Sequence, residues 1–281
     1  ERIMMLMKNE NKTLYSNNVN SGLFILNTDI IEHIPRSKVD LVNDVFPKVL
    51  QSKMNLYGYP SSEYVKDMGT PSRMKEIEEF LISEKIHSKN LRNPQPAVFL
   101  DRDGVINKEV DQLIDINKFE LLDGVTEAIR LLNNSDYLSI VVTNQPSVAK
   151  GFCNLETIES INRFMETLLG NEGLKLDSIY FCPHHPERGF PGENKKYKID
   201  CNCRKPKIGL FESAKSSFNI DYSKSYIVGD RTSDIMAGKN AGISSILVRT
   251  GYGGRDEAYQ VNPDYTAENL KDAVSNIILN R

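Results

Sequence analysis

The sequence predicts an α/β fold, a doubly wound parallel sheet preceded by a smaller N-terminal unit. Three observations carry this. From residue 97 on, short runs of strand-forming residues alternate with stretches of helical period. The strand runs are apolar at consecutive positions, the pattern of strands covered on both faces. Three of them end on polar residues, and parallel strands bring such ends to one edge of the sheet, where ligands bind.

At 281 residues the chain has room for two domains. We assign residues 1–85 to the smaller unit, 86–96 to a linker and 97–281 to the larger unit. In the first, Ser21 to Leu26 reads as a short buried strand and Asp29 to Ile34 as a helical turn stopped by Pro35. Val39 to Leu50 has a helical rhythm at Leu41, Val45 and Val49 despite Pro47, and Ser72 to Ser83 reads as an acidic helix. Ile86 to Pro96 is polar, proline-bearing and aperiodic, as linkers are. The strands expected beyond it are Ala97–Leu100, Leu138–Val142, Ser178–Phe181, Tyr226–Val228 and Ser245–Val248. Helices are expected at Gly124–Asn133, Leu155–Leu169, Ile208–Phe218 and Ser233–Ala241.

The strand ends carry the chemistry. Ala97–Leu100 stops on Asp101-Arg102-Asp103-Gly104, two carboxylates that share a face of an extended chain, then a glycine that permits a sharp turn. Carboxylates held this close repel each other, so such a pair usually binds a cation or shares a proton. The next strand delivers Thr143, Asn144 and Gln145, and the fourth delivers Gly229-Asp230-Arg231 with Asp234 beyond. Between them, Arg204-Lys205-Pro206 opens a helix with two cations. Each motif alone fits a polar turn equally well. Four in series at corresponding ends do not.

Composition narrows the setting. A formal charge of −3, with 26% charged residues, gives no electrostatic case for nucleic acid. No run is long and apolar enough to span a bilayer, and no signal-peptide pattern opens the chain. The chain begins at Glu1, not methionine, which fits a piece of a longer protein. Three of the four cysteines cluster in metal-like spacing and not in a disulfide framework, which points to a reducing, cytoplasmic location.

Over residues 96 to about 255, these ordered motifs resemble the haloacid dehalogenase superfamily of phosphohydrolases. The resemblance implies a Rossmann-like fold and a nucleophile at Asp101 that forms an aspartyl-phosphate. It makes Asp103 a general acid and then a general base. Thr143 would hydrogen-bond the phosphoryl oxygens, and Lys205 would neutralise charge in the transition state. Mg²⁺ would be held by the Asp101 side chain, the Asp103 carbonyl and Asp230, with Asp234 orienting that shell. Only about 40 residues separate Asp103 from Thr143, too few for a cap domain beside the helix and strand they must form.

Cys182-Pro183-His184 and Cys201-Asn202-Cys203 frame a polar loop. Three thiolates and an imidazole suit a closed tetrahedral zinc site of structural type; buried thiols are the alternative. Cys153 stands apart and reads as a packing residue, and His33 and His87 as surface positions. With this loop included, the motifs look like the D-glycero-D-manno-heptose 1,7-bisphosphate phosphatase group, which is similar to histidinol-phosphate phosphatases. That resemblance implies removal of the 7-phosphate from a small sugar phosphate in nucleotide-activated heptose biosynthesis. Substrate contacts would come from Glu109, Val110, Asp111, Gln112, Asn144, Gln145, Arg204 and Arg231. Histidinol phosphate and other sugar phosphates remain open as substrates. Two departures touch the substrate side: Pro146-Ser147 follows where the group commonly has Ser-Gly, and Glu109 to Gln112 replaces the usual His-Gly-Tyr.

In the first unit, Val19 to Ile25 and Lys66-Asp67-Met68-Gly69-Thr70-Pro71 resemble the closing third of a sugar-phosphate nucleotidyltransferase. The resemblance makes Asp67 the metal-ligand position and places Asn20 and Gly22 in a sugar-binding segment. The family's glycine-rich nucleotide loop is absent, so the unit is expected to be inactive by itself. A bifunctional longer parent and a leftover packing domain both fit, and oligomeric state is left open.

Overall fold

A computed structural model describes residues 2–3, 20–52, 54–59, 61, 63, 65, 67–82 and 90–280. Its chain divides into two compact units, the first chiefly residues 18–61 and the second chiefly Met68–Arg281.

In the first unit, β1 (Arg2–Ile3) pairs antiparallel with β2 (Leu56–Tyr57). A 3₁₀ turn covers Thr28–His33, and a π-helical turn at Leu41–Val45 leads into α1 (Phe46–Gln51). Pro47 sits in the first turn of α1, where its missing N–H costs nothing. Ile30, Val45, Phe46 and Val49 form a small core. The strand expected at 21–26 does not form: Leu23 and Ile25 are 76% and 103% exposed, and no strand partner lies beside them among the described residues. An apolar run becomes a strand only where a neighbour takes up its hydrogen bonds. Val19, Lys66, His87 and residues 86–89 of the expected linker lie outside the described residues.

The second unit begins with α2 (Pro71–Ile82), one residue offset from the expected helix. The described end of the linker is bound into this unit: buried Gln95 bridges to Ile220, and its Nε2 donates to Phe218 O at 2.9 Å. Then come β3 (Ala97–Leu100), α3 (Val125–Asn133), β4 (Leu138–Asn144), α4 (Leu155–Asn171) and β5 (Ser178–Cys182). After a long loop follow α5 (Gly209–Phe218), β6 (Tyr226–Gly229), α6 (Thr232–Ala241) and β7 (Ser244–Val248). Two elements were not foreseen, β8 (Tyr265–Ala267) and α7 (Leu270–Asp272), which runs on as a π-helical segment over Ala273–Ile278.

The six strands of this unit form one parallel sheet in the order β5-β4-β3-β6-β7-β8. Alternation along the strands splits the core in two. Val98, Leu100, Val141, Val228 and Ile246 pack with α3, α4 and α7. Ala97, Phe99, Ile140, Val142 and Ile227 pack with α5 and α6 on the other face. The order of strand addition reverses between the parallel neighbours β3 and β6, so their carboxyl ends frame a crevice that neither crossover covers. Asp101 and Asp230 are the first residues past those two strands.

Candidate active site

Asp101 continues the β3 ladder by one bond, its N–H donating to Val228 O at 3.0 Å. The chain then turns at Gly104, whose φ of +81° only glycine adopts without strain. A Cβ there, or at Gly251, would collide with the Asp230 carboxylate, so two glycines make its seat. Asp230 is fully buried, with Oδ2 accepting from Tyr252 N–H at 2.7 Å and Oδ1 without a hydrogen-bond partner. Asp234, in the first turn of α6, accepts from Arg231 N–H at 3.0 Å.

Lys205 reaches into this group from the loop before α5. Its Nζ lies 3.0 Å from Asp101 Oδ1 and 2.6 Å from Asp234 Oδ1, and it donates to Val142 O at 2.7 Å. Burial disfavours the ammonium, but the two carboxylates outweigh it and hold its pKa above the usual lysine range. Burial, and then the Asp101 and Asp234 charges, raise Asp230 to about 8. Burial also raises Asp234, to about 6, against the pull of Lys205.

One oxygen each from Asp101, Asp230 and Asp234 lies within 4.8 Å of the others. Three buried carboxylates facing one ammonium leave negative charge unmatched, and Asp230 Oδ1 is an orphaned acceptor. An all-oxygen donor set with that deficit fits a hard divalent cation such as Mg²⁺. The Asp103 side chain is not in the cluster.

Asp103 turns instead toward Arg102, Asn107 and Gln145. Its oxygens accept from Arg102 Nη2 at 2.9 Å, Asn107 Nδ2 at 2.9 Å and Gln145 Nε2 at 2.7 Å. Burial pushes this carboxyl up, yet the Arg102 guanidinium and the amide hydrogen bonds prevail and hold it below the ordinary aspartate range. Arg102 is itself fully buried and anchored by Nη1 to Asn162 Oδ1 at 3.0 Å. Thr143, 1% exposed, accepts from Gln145 Nε2 at 3.0 Å.

The residues expected to touch substrate separate into two groups. Asn144 and Gln145 have internal partners. Asn144 clamps the Lys205 main chain from both sides, at 3.0 and 3.1 Å, and Gln145 spans Thr143 and Asp103. Both are thus engaged with neighbouring residues of the site. Toward the mouth, Arg231 stacks on Tyr252 at 3.6 Å and meets Glu109 at 3.4 Å, while Gln112 accepts from Ser147 Oγ at 2.8 Å. Burial and the nearby Asp103 charge raise the Glu109 pKa against Arg231. Val110 packs on the core, Asp111 is exposed, and Arg204 Nη1 donates to His184 O at 3.2 Å. Arg102, Asn107 and Asn162 escaped the sequence reading, as did the Thr250–Gly254 turn, where Thr250 Oγ1 donates to Gly104 O at 2.7 Å. That turn's glycines, directly after a strand, were the available signal.

Cys182, His184, Cys201 and Cys203 converge, their donor atoms within 4.8 Å of one another and Cys203 Sγ 3.0 to 3.2 Å from the other three. A zinc tetrahedron has edges of roughly 3.8 Å, so slight expansion would centre one ion among three thiols and Nδ1. Hydrogen bonding with Cys182, and then with Cys201 and His184, lowers the Cys203 thiol to about 5 against burial, while bonding to Cys203 and burial push Cys182 up. Cys153 is half-buried and outside this cluster, and His33 is half-buried, not on the open surface. In the first unit, Asp67 is exposed and Gly22 N–H donates to Asn20 Oδ1 at 2.8 Å.

The doubly wound sheet with carboxylates at its switch point is that of a haloacid dehalogenase-type phosphatase. A HAD-hydrolase-like family model matches residues 202–273. The D-glycero-β-D-manno-heptose-1,7-bisphosphate 7-phosphatase of Vibrio cholerae is 44% identical over 158 residues, covering 56% of this chain and 83% of that protein. The enzyme of the same name from Escherichia coli K12 is 38% identical over 182 residues, 64% of this chain and 88% of that protein. Among solved structures, the D,D-heptose 1,7-bisphosphate phosphatase from B. bronchiseptica, complexed with magnesium and phosphate, aligns with a TM-score of 0.58 at 27% identity. The match covers 66% of this chain and all of that one. The chain belongs to the D-glycero-β-D-manno-heptose-1,7-bisphosphate 7-phosphatase family.

Proposed function

We propose that the chain hydrolyses the 7-phosphate of D-glycero-D-manno-heptose 1,7-bisphosphate through an aspartyl-phosphate on Asp101, in the formation of nucleotide-activated heptose. The observation that supports the route most strongly is the convergence of Asp101, Lys205, Asp230 and Asp234 at the end of β3. The substrate follows from the relatives. In the first half-reaction an Asp101 oxygen bonds to phosphorus, the bond from phosphorus to the sugar oxygen breaks, and that oxygen takes a proton from Asp103. In the second, a water attacks the acyl phosphate, gives its proton to Asp103 and releases inorganic phosphate. The ionised resting state of Asp103 suits the second half. A bound dianionic phosphate beside it raises its pKa and favours the proton needed for the first.

Thr143 and Lys205 donate to the phosphoryl oxygens, and the Gln145 and Asn144 contacts keep both in place. Asp101, Asp230 and the Asp103 carbonyl would hold Mg²⁺, which supplies charge neutralisation between nucleophile and phosphate when bound. The cysteine cage would hold zinc and pin the loop from 182 to 203, and its free thiols suit a reducing compartment such as the cytoplasm.

The motifs at Asn20 to Gly22 and Asp67 to Pro71 support reading the N-terminal unit as the closing part of a sugar-phosphate nucleotidyltransferase, either a partner activity or a packing domain. Phosphate release from both anomers of heptose 1,7-bisphosphate, histidinol phosphate and hexose bisphosphates, with magnesium present, tests the substrate. The heptose should lead in kcat/KM. A clear preference for histidinol phosphate would replace this reading.

A further inference from the structure

Arg102 stands between the two aspartates of the β3 end, and its side chain is fully buried. Its main-chain N–H donates to Asp101 Oδ1 at 2.8 Å, and its carbonyl accepts from Ile106 and Asn107 N–H at 2.8 and 3.1 Å. The guanidinium meets Asp103 as a fork. Nη2 reaches Oδ2 at 2.9 Å and Oδ1 at 3.2 Å, with Nε 3.4 Å from Oδ1. A planar fork of donors fixes the plane of a carboxylate, which a single point charge cannot do.

The fork is held from behind by α4. Asn162 is 6% exposed and falls among the buried residues of that helix, between Ile161 and Met165. An amide in an apolar row costs stability unless it is paired. Its Oδ1 accepts from Arg102 Nη1 at 3.0 Å, across 60 residues of chain. Asn107 Nδ2 and Gln145 Nε2 brace Asp103 at 2.9 and 2.7 Å, yet the Asp103 side chain keeps 19% of its surface open. A carboxyl fixed in direction and still reachable is what proton delivery to a bound group requires.

We propose that Arg102, locked by Asn162, is a positioning unit for Asp103: it aims the carboxyl at the departing sugar oxygen, so that Asn162 governs leaving-group protonation without touching substrate. This rests on the reading of Asp103 as general acid above.

The test uses kcat/KM, which reports events up to leaving-group departure and not the later hydrolysis of the acyl phosphate. Heptose 1,7-bisphosphate, whose sugar oxygen needs a proton to leave, is compared with p-nitrophenyl phosphate, whose nitrophenolate leaves without one. Asp103→Asn sets the scale, and thermal melting controls for folding. Asn162→Leu should lower kcat/KM for the sugar roughly 10- to 100-fold and for p-nitrophenyl phosphate by less than about threefold. Asn162→Asp keeps an acceptor oxygen and should recover most of the loss. Arg102→Lys keeps the charge without the fork and should show the same split between substrates, so it carries the test if Asn162→Leu does not fold. Equal losses on both substrates, or no loss on the sugar, would overturn the positioning role. An Asp103→Asn enzyme that treats the two substrates alike would instead overturn Asp103 as the acid, and this inference with it.

Discussion

Lys205 Nζ lies 3.0 Å from Asp101 Oδ1 while the same ammonium holds Asp234 at 2.6 Å, so one cation meets both the proposed nucleophile and the carboxylate behind it. Both partners and the lysine are nearly fully buried. Replacing Lys205 with Met should cut kcat by about 100-fold or more, because the charge that meets the transferring phosphoryl group is gone. It should also destabilise the protein by about 3–5 kcal/mol, since a buried carboxylate loses its partner. Steady-state kinetics and urea unfolding of the same preparation check both.

Gln145 tunes Asp103. Its amide favours the ionised carboxylate, so Gln145→Leu should raise the Asp103 pKa. Activity that needs the basic form is lost as pH falls through that pKa. The acid limb of the pH–rate profile should therefore move upward, by roughly half to one unit. An unmoved limb would separate Gln145 from the proton transfers.

Gly251 gives a purely steric test. Its φ is +56°, and an added Cβ meets the Asp230 carboxylate and the Gly104 backbone. Gly251→Ala should raise the magnesium concentration needed for half-maximal activity about 10-fold or more while the sheet still folds. Magnesium titration of activity beside a thermal melt reads the difference.

The cysteine cage should govern loop order more than the fold. Cys203→Ser should lower bound zinc to well under one ion per chain. It should lower the melting temperature by roughly 5–10 °C, the equivalent of about 2–3 kcal/mol. Metal analysis after gel filtration measures the first, and calorimetry the second.

Much of this centre was legible because its residues sit at strand ends. Asp101, Thr143 and Asp230 follow apolar runs whose period and composition mark β3, β4 and β6, and parallel pairing then brings them to one edge. Arg102 and Asn162 were not legible. A charged residue between two aspartates looks solvated until the fold buries it, and a polar position on α4 gives no sign of the guanidinium it will meet. The segment at 21–26 misled for the opposite reason: its residues favour a strand, but sheet formation depends on a neighbour that local sequence does not specify. The C-terminal helix was readable and passed over, since Leu270, Ala273, Val274 and Ile278 keep helical spacing after the cap at Asn269. In the expected linker, Gln95 reads as a polar loop residue, yet it is fully buried and tied to Phe218.

The covalent route is tested most directly by acid quench of wild type and Asp101→Asn during turnover, followed by peptide mass spectrometry. A phosphoryl adduct on the peptide carrying Asp101 in wild type, and neither adduct nor turnover in the variant, is expected. Substantial phosphate release by Asp101→Asn would contradict it.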